Sequence, residues 1–162
     1  MNIRLATDAD VPTLRDLARR IWHASYPGII TQQQIEYMLA WMYAEAMIRE
    51  EMRKGYTWEL IEVEGEPIGF QAYHRENDGR CKLDKLYLLP EHQGRGFAIT
   101  MLTHIRAAAR EMEAREVWLQ VNKQNKRAIA AYQKAGFHLA GENVFSIGDG
   151  FVMDDYLMAV AV

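Results

Sequence analysis

The chain has 162 residues, of which 49% are apolar and 25% charged, and its formal net charge is −3. This length and balance predict one soluble globular domain over residues 1–162, with enough apolar side chains for a proper core. The mildly acidic charge argues against broad affinity for nucleic acids.

The numbers and spacing of the cysteine and histidine residues limit which disulfides and metal sites the chain can form. Cys81 is the only cysteine, which excludes an internal disulfide and a cysteine-rich metal site. The five histidines are scattered without a His-x-x-x-His pair, so we expect no metal. The first residues lack the apolar core of a signal peptide, and no apolar run approaches the length of a membrane span. We therefore expect a cytoplasmic protein with no membrane partner.

The N-terminal part predicts one short strand and three helices. Residues 3–5 read as the strand, and apolar side chains recur at helical spacing over residues 11–21. A second helix is predicted over residues 31–39 and a third over residues 44–54, where Gly55 supplies the stop signal.

The middle of the chain predicts three strands joined by tight turns. The strands cover residues 58–63, 68–74 and 82–88, and the turns contain Glu64-Gly65-Glu66-Pro67 and Asn77-Asp78-Gly79.

The last part alternates helices and strands. A helix is predicted over residues 94–113, a strand over 117–121, a helix over 126–135, and an antiparallel pair over 138–140 and 151–160. The whole order predicts an α/β fold with a mixed sheet and helices on both faces.

The most informative segment joins the third strand of the middle part to the following helix. An apolar run ends at Pro90, then Gly94 and Gly96 follow, and the helical pattern begins. Such a turn collects backbone N–H groups at a helix N-terminus, where the helix dipole adds positive charge. These features predict a phosphate or pyrophosphate site, and Arg95 suits an anionic ligand.

Other interpretations of this turn fit less well. The glycines alone permit a tight strand-to-helix connection without any ligand. The dinucleotide fingerprint requires a third glycine where this chain has Ile99, and it requires an early first strand. The Walker loop is absent, because no Gly-Lys-Ser/Thr follows.

Two motifs carry a family resemblance. Gln93-Gly94-Arg95-Gly96-Phe97-Ala98 matches Gln/Arg-x-x-Gly-x-Gly/Ala and resembles motif A of the GNAT superfamily of acetyl-CoA-dependent N-acetyltransferases. Residues 122–137 resemble the next element of that family, with a strand ending in Asn, a helix carrying Asn, Ala and Tyr, and then Gly-Phe. The resemblance implies the GNAT fold, a mixed, mostly antiparallel central sheet whose central strands splay apart around acetyl-CoA.

The resemblance also implies roles for single residues. The pyrophosphate of acetyl-CoA would lie over Gln93, Gly94, Arg95, Gly96, Phe97 and Ala98. The backbone groups of Leu86 and Leu88 would pair with the acetyl and pantetheine groups, while their side chains pack in the core. Asn125 would contact pantetheine and Ala128 would leave room for it. Tyr132, on the same helical face, would act as general acid for the departing thiolate, with core packing as the alternative.

The proton acceptor for the amine is less defined. Some GNAT enzymes carry a Glu at a fixed distance before the motif A glutamine, where this chain departs with Lys82. Asp84 is the candidate base, and an ion pair with Lys82 or Lys85 is the alternative. His74 is a second candidate, and an amine that is already neutral in solution needs no base.

These observations predict an N-acetyltransferase that moves the acetyl group directly to a primary amine of a small molecule or peptide, in a ternary complex. Cys81 shows no obvious basic partner for an acyl-enzyme route. Asp149, Asp154 and Asp155 either attract a cationic amine or are ordinary solvated carboxylates. A non-catalytic acyl-CoA-binding sensor and a module for other nucleotides are the rival functions, and a homodimer is left open.

Overall fold

The structure is a computed structural model that describes residues 1–162, and the chain forms seven strands and five helices. The strands are β1 (Asn2–Leu5), β2 (Thr57–Val63), β3 (Glu66–Arg75), β4 (Cys81–Leu88), β5 (Glu116–Asn122), β6 (His138–Gly148) and β7 (Phe151–Ala161). The helices are α1 (Val11–Ser25), α2 (Gln32–Met42), α3 (Glu45–Arg53), α4 (Phe97–Glu111) and α5 (Lys126–Lys134). No helix combines the length and the apolar composition that crossing a lipid bilayer requires.

All seven strands belong to one sheet in the order β1-β2-β3-β4-β5-β7-β6. The pairs β1–β2, β2–β3, β5–β7 and β6–β7 are antiparallel, whereas β4 and β5 run parallel. The parallel register joins Cys81 to Val117 and Leu83 to Leu119 and ends there. The predicted α/β fold with a mixed, mostly antiparallel sheet is confirmed.

The chain divides into two compact units. The first comprises Met1–His74 and Lys85–Ala98, and the second comprises Arg75–Asp84 and Ile99–Val162. An aromatic cluster lies in the core of the first unit, formed by Trp22, Tyr43, Trp58, Phe70 and Tyr87. The core of the second unit includes Cys81, Leu83, Val117, Leu119 and Met158, all nearly inaccessible to solvent. The single domain expected over residues 1–162 stays a prediction.

Local sequence signals explain most element boundaries. Thr31 caps α2, since its hydroxyl accepts a hydrogen bond from the Gln34 N–H at 3.1 Å. The predicted buried stripe of α1 is present, with Val11 and Leu14 fully inaccessible. α4 begins at Phe97 rather than at residue 94, because Gly94 and Gly96 have positive φ angles that end helical geometry.

One element differs strongly from its prediction. β6 was expected over residues 138–140 but extends over His138–Gly148 and pairs with β7 along its length. It is an edge strand whose side chains are mostly exposed, and Gly141-Glu142-Asn143 interrupts its apolar pattern in the sequence. Its stability comes from backbone pairing with β7, which follows directly after the turn at Gly148-Asp149-Gly150.

Candidate functional site

The glycine-rich turn after β4 has the geometry that the sequence predicts. Gly94 and Gly96 have φ angles of 73° and 85°, a region that glycine enters without steric cost. A Cβ atom built on Gly96 would meet no heavy atom within 4 Å, so the space beside it is open. α4 follows at Phe97 and runs for 15 residues, which leaves its first backbone N–H groups beside this open space.

Two side chains shape the turn. The Gln93 side-chain amide donates a hydrogen bond to the Leu88 carbonyl oxygen at 2.9 Å and so ties the turn to the end of β4. The Arg95 guanidinium lies 5.0 Å from the centroid of the Phe97 ring, and its Nη1 is 3.3 Å from His92 Nδ1. Gln93 thus has a structural role that the motif did not reveal, while Arg95 supplies a cation at the turn.

These residues fit a diphosphate. The helix N-terminus and its dipole attract anions, and a guanidinium binds phosphate oxygens well. Glu91 is the only acidic residue in the segment 90–98, and its carboxylate lies 4.0 Å from the Arg20 guanidinium. The turn therefore presents donors and positive charge with little opposing negative charge.

The end of β4 that leads into the turn is held by close packing. Leu88 is buried and Leu86 is half-buried. The Tyr87 ring lies 5.4 Å from that of Phe70, and a Cβ built on Gly69 would overlap the Tyr87 carbonyl oxygen. The Leu88 side chain therefore packs in the core as expected and that of Leu86 does so only in part, while the backbone roles of both toward the cofactor stay predictions.

α5 carries the second predicted group of residues. Asn125 precedes the helix as its N-cap, and its side-chain oxygen accepts a hydrogen bond from the Ala128 N–H at 3.3 Å. Ala128 is half-buried in the first turn. Tyr132 is 8% exposed in the last turn, with its ring centroid 5.8 Å from that of Phe137. Asn125 thus caps α5 rather than lying within it, and the role of Tyr132 as acid stays a prediction.

The lysines near Asp84 have different partners. Lys82 Nζ lies 3.7 Å from the Asp84 carboxylate, as the ion-pair alternative requires. Lys85 is buried and lies 3.4 Å from the Glu51 carboxylate instead. His74, the second candidate base, stacks on the Tyr56 ring with centroids 3.9 Å apart.

Cys81 is a poor nucleophile in this structure. Its side chain is fully inaccessible, and burial, assisted by the charges of Asp84 and Glu76, raises the pKa of its thiol to about 12. The thiolate is the reactive form of cysteine, and at neutral pH it is very scarce here.

A carboxylate that the sequence had grouped with solvated ones is buried. Asp155 is 1% exposed, and neither of its side-chain oxygens has a hydrogen-bond partner. Burial raises the pKa of Asp155 to about 6, the Asp154 charge adds to the rise, and Lys123 opposes it. The available signal was strand alternation, which separates Asp155 from the exposed Asp154 on β7.

Comparison with known proteins gives consistent matches. The model of the acetyltransferase (GNAT) family matches residues 13–137. An uncharacterised N-acetyltransferase of Mycobacterium bovis is 37% identical over 95 residues, which are 59% of this chain and 60% of that relative. The spermidine N(1)-acetyltransferase of Thermoplasma acidophilum is 25% identical over 159 residues, or 95% of this chain and 96% of the relative.

A solved structure with the same fold covers nearly the whole chain. The PaiA N-acetyltransferase of Thermoplasma acidophilum in complex with coenzyme A superimposes with a TM-score of 0.82 at 23% identity, covering 99% of this chain and 98% of the other. At this identity the likeness concerns the fold. The family model spans both predicted motifs and most of the chain, and the chain therefore belongs to the acetyltransferase (GNAT) family.

Proposed function

We propose that the protein is an acetyl-CoA-dependent N-acetyltransferase that acts on a primary amine of a small molecule or peptide, by direct transfer in a ternary complex. The observation that carries the proposal is the turn at Gly94 and Gly96, open at Gly96 and placed at the N-terminus of α4. Membership of the GNAT family supports acetyl-CoA as the ligand of this turn.

The acceptor is proposed as an amine from the names of relatives. One is a spermidine N(1)-acetyltransferase and another, from Escherichia coli, is a peptidyl-lysine N-acetyltransferase. Both names describe transfer to a primary amine, although the molecules differ greatly in size. We therefore propose the amine group as the shared feature and expect the acceptor to be found among polyamines and lysine-containing peptides.

Tyr132 is proposed as the general acid. A phenol hydroxyl gives its proton to the departing thiolate, and the amine nitrogen returns one as the amide forms. The place of Tyr132 on α5, seven residues after Asn125 in the second motif of the matched family, supports this role. Asp84 is the proton acceptor that the sequence proposes for the incoming amine. Its contact with Lys82 favours the ion pair, so the role of Asp84 stays a prediction.

The pyrophosphate site is tested with matched glycine variants. Gly96→Asp adds a negative side chain at the α4 N-terminus, and acetyl-CoA affinity should fall more than tenfold by calorimetry. Gly65→Asp is the control, because Gly65 has a φ of 81°, no heavy atom near its Cβ position, and a place in the β2–β3 turn. Equal affinity in the two folded variants would contradict the proposed site.

The catalytic proposal is tested with Tyr132→Phe. The variant should lose about 10²–10⁴-fold in kcat with little change in the KM for acetyl-CoA. Tyr156→Phe is the control, since Tyr156 lies on β7 and its ring faces Lys123. Acetyl-CoA binding without release of CoA, for every amine in a panel of polyamines and lysine peptides, would favour the non-catalytic sensor instead.

A further inference from the structure

Asp155 is a buried carboxylate without any protein donor. It is 1% exposed, and both side-chain oxygens lack hydrogen-bond partners. Burying such a group costs free energy, and nearly all buried polar atoms in proteins are paired. Groups of this kind are concentrated at functional sites, where an unusual proton affinity is needed.

The register of the sheet places Asp155 beside the connection to α5. On β7 it pairs with Asn122, the last residue of β5, and with Asn143 of β6. The Asn125 N–H donates to the Asn122 carbonyl oxygen at 2.9 Å, so the α5 cap follows directly. Asp155 therefore lies one strand away from the segment that leads to Asn125 and Tyr132.

Asp155 also shares a sheet face with Asp84. Cross-strand partners point to the same face, and alternate residues of one strand do so too. The register links Lys82 to Trp118 and Asn122 to Asp155, so these side chains lie on one face together with Asp84. The other face carries Asp154, whose carboxylate is 2.8 Å from Lys123 Nζ.

Asp155 forms no ion pair, and Lys123, the cation whose charge acts on it, is held by two other carboxylates. Lys123 is shared between Asp154 and Glu142, at 2.8 and 3.3 Å. Lys82, on the face of Asp155, contacts Asp84. By contrast with Asp84, Asp155 has no ion pair that would hold its negative charge and weaken it as a base.

We infer that Asp155 is a catalytic residue that accepts the proton of the acceptor's ammonium group, a role that the sequence had proposed for Asp84. This inference rests on the proposed N-acetyltransferase function. Burial of Asp155 raises the pKa of its carboxyl to about 6. At neutral pH this carboxyl is therefore mostly ionised, yet it is a stronger base than an ordinary aspartate.

The proton balance is complete with the groups named. The ammonium group passes one proton to the Asp155 carboxylate and becomes a neutral amine. The amide C–N bond then forms and the thioester C–S bond breaks. Tyr132 gives its hydroxyl proton to the departing thiolate, and the nitrogen passes its second proton to Tyr132 in replacement. After the products leave, Asp155 gives its proton to solvent through the emptied acceptor site, so the net reaction yields an amide, free CoA and one proton.

The test compares pH profiles of kcat/KM for the wild type, Asp155→Asn, Asp84→Asn and Asp154→Asn, with acetyl-CoA and the best acceptor of the amine panel. The wild type should level off above about pH 6. At pH 6.5 the kcat/KM of Asp155→Asn should be at least about 10²-fold below that of the wild type. It should rise about tenfold for each unit of increasing pH, because solution then supplies more of the neutral amine. Asp84→Asn and the matched control Asp154→Asn should run parallel to the wild type.

A pH profile of Asp155→Asn parallel to that of the wild type would overturn the inference. A profile of Asp84→Asn that diverges from the wild type would return the role of proton acceptor to Asp84. In both cases the proposed acetyl transfer itself would stand. If Asp155→Asn does not fold, Asp155→Ser replaces it in the same pH profiles. An NMR titration of the aspartate carboxyl carbons in the wild type is independent of turnover. Spermidine or a lysine peptide should lower the Asp155 midpoint, and an unchanged midpoint with both would overturn the inference even if no amine is acetylated.

Discussion

The burial of Asp155 makes a prediction about folding stability that needs no substrate. The pKa of this carboxyl rises from 3.8 to about 6 in the folded chain. Between these values the folded state binds the proton more tightly than the unfolded state does, so stability falls as pH rises through this range. The loss of stability is nearly complete about one pH unit above the folded pKa, at about pH 7. Asp155→Asn removes the titrating group and should therefore remove the loss.

The size of the effect follows from the shift. About two pKa units at 1.36 kcal/mol each give about 3 kcal/mol as an upper value for the charged group at neutral pH. Relaxation around the carboxylate reduces this figure, so we expect Asp155→Asn to stabilise the fold at pH 7 by about 1–3 kcal/mol. Near pH 4 the two proteins should differ much less, because Asp155 is then largely protonated in the folded chain.

Urea denaturation followed by tryptophan fluorescence measures this difference at half-unit steps from pH 4 to pH 8. Trp22 and Trp58 are buried and should report unfolding. Asp154→Asn is again the matched control, and its difference from the wild type should not grow over the same range. A constant difference between wild type and Asp155→Asn across all pH values would refute the reasoning, because it would show that Asp155 titrates alike in both states.

Three further predictions test single contacts. Gly69→Ala should lower the free energy of unfolding by about 1–3 kcal/mol in urea titration, because its Cβ would overlap the β4 backbone. Gly141→Ala is the control and should be nearly neutral, because its Cβ would make an ordinary 3.6 Å contact. Cys81 should resist iodoacetamide until the chain unfolds, as mass spectrometry would reveal. The hydrogen bond from Arg4 lowers the pKa of Asp10 to about 2, so its stabilisation is present above about pH 4 and lost as pH falls towards 2. Asp10→Asn should flatten that acid-side loss in thermal melts.

The turn at Gly94 and Gly96 was predictable because its signals are local. Glycine spacing, the preceding Pro90 and the following helical pattern lie within a few residues of one another, and each has a direct backbone consequence. The bond from Gln93 to the Leu88 carbonyl oxygen was not predictable, because many side-chain directions are compatible with the same motif.

Long-range pairing explains what the sequence alone missed. β6 has few buried side chains, and its extent depends on hydrogen bonds to β7. Gly141-Glu142-Asn143 interrupts the apolar pattern, so the sequence alone predicts a strand only to residue 140, although the strand continues to Gly148. Strand length at a sheet edge is therefore set by the partner strand rather than by the strand's own residues.

The choice between Asp84 and Asp155 shows the same dependence at the level of chemistry. Asp84 stands inside a recognised motif and Asp155 does not, so motif reasoning favours Asp84. The properties that make a carboxylate a base are its burial and its charge partners, and both arise from tertiary contacts. Lys82 pairs with Asp84, whereas Lys123, the cation whose charge acts on Asp155, is engaged by Asp154 on the opposite face. The proposed cofactor site is thus one short contiguous segment, while the proposed proton acceptor depends on the register of β5 with β7.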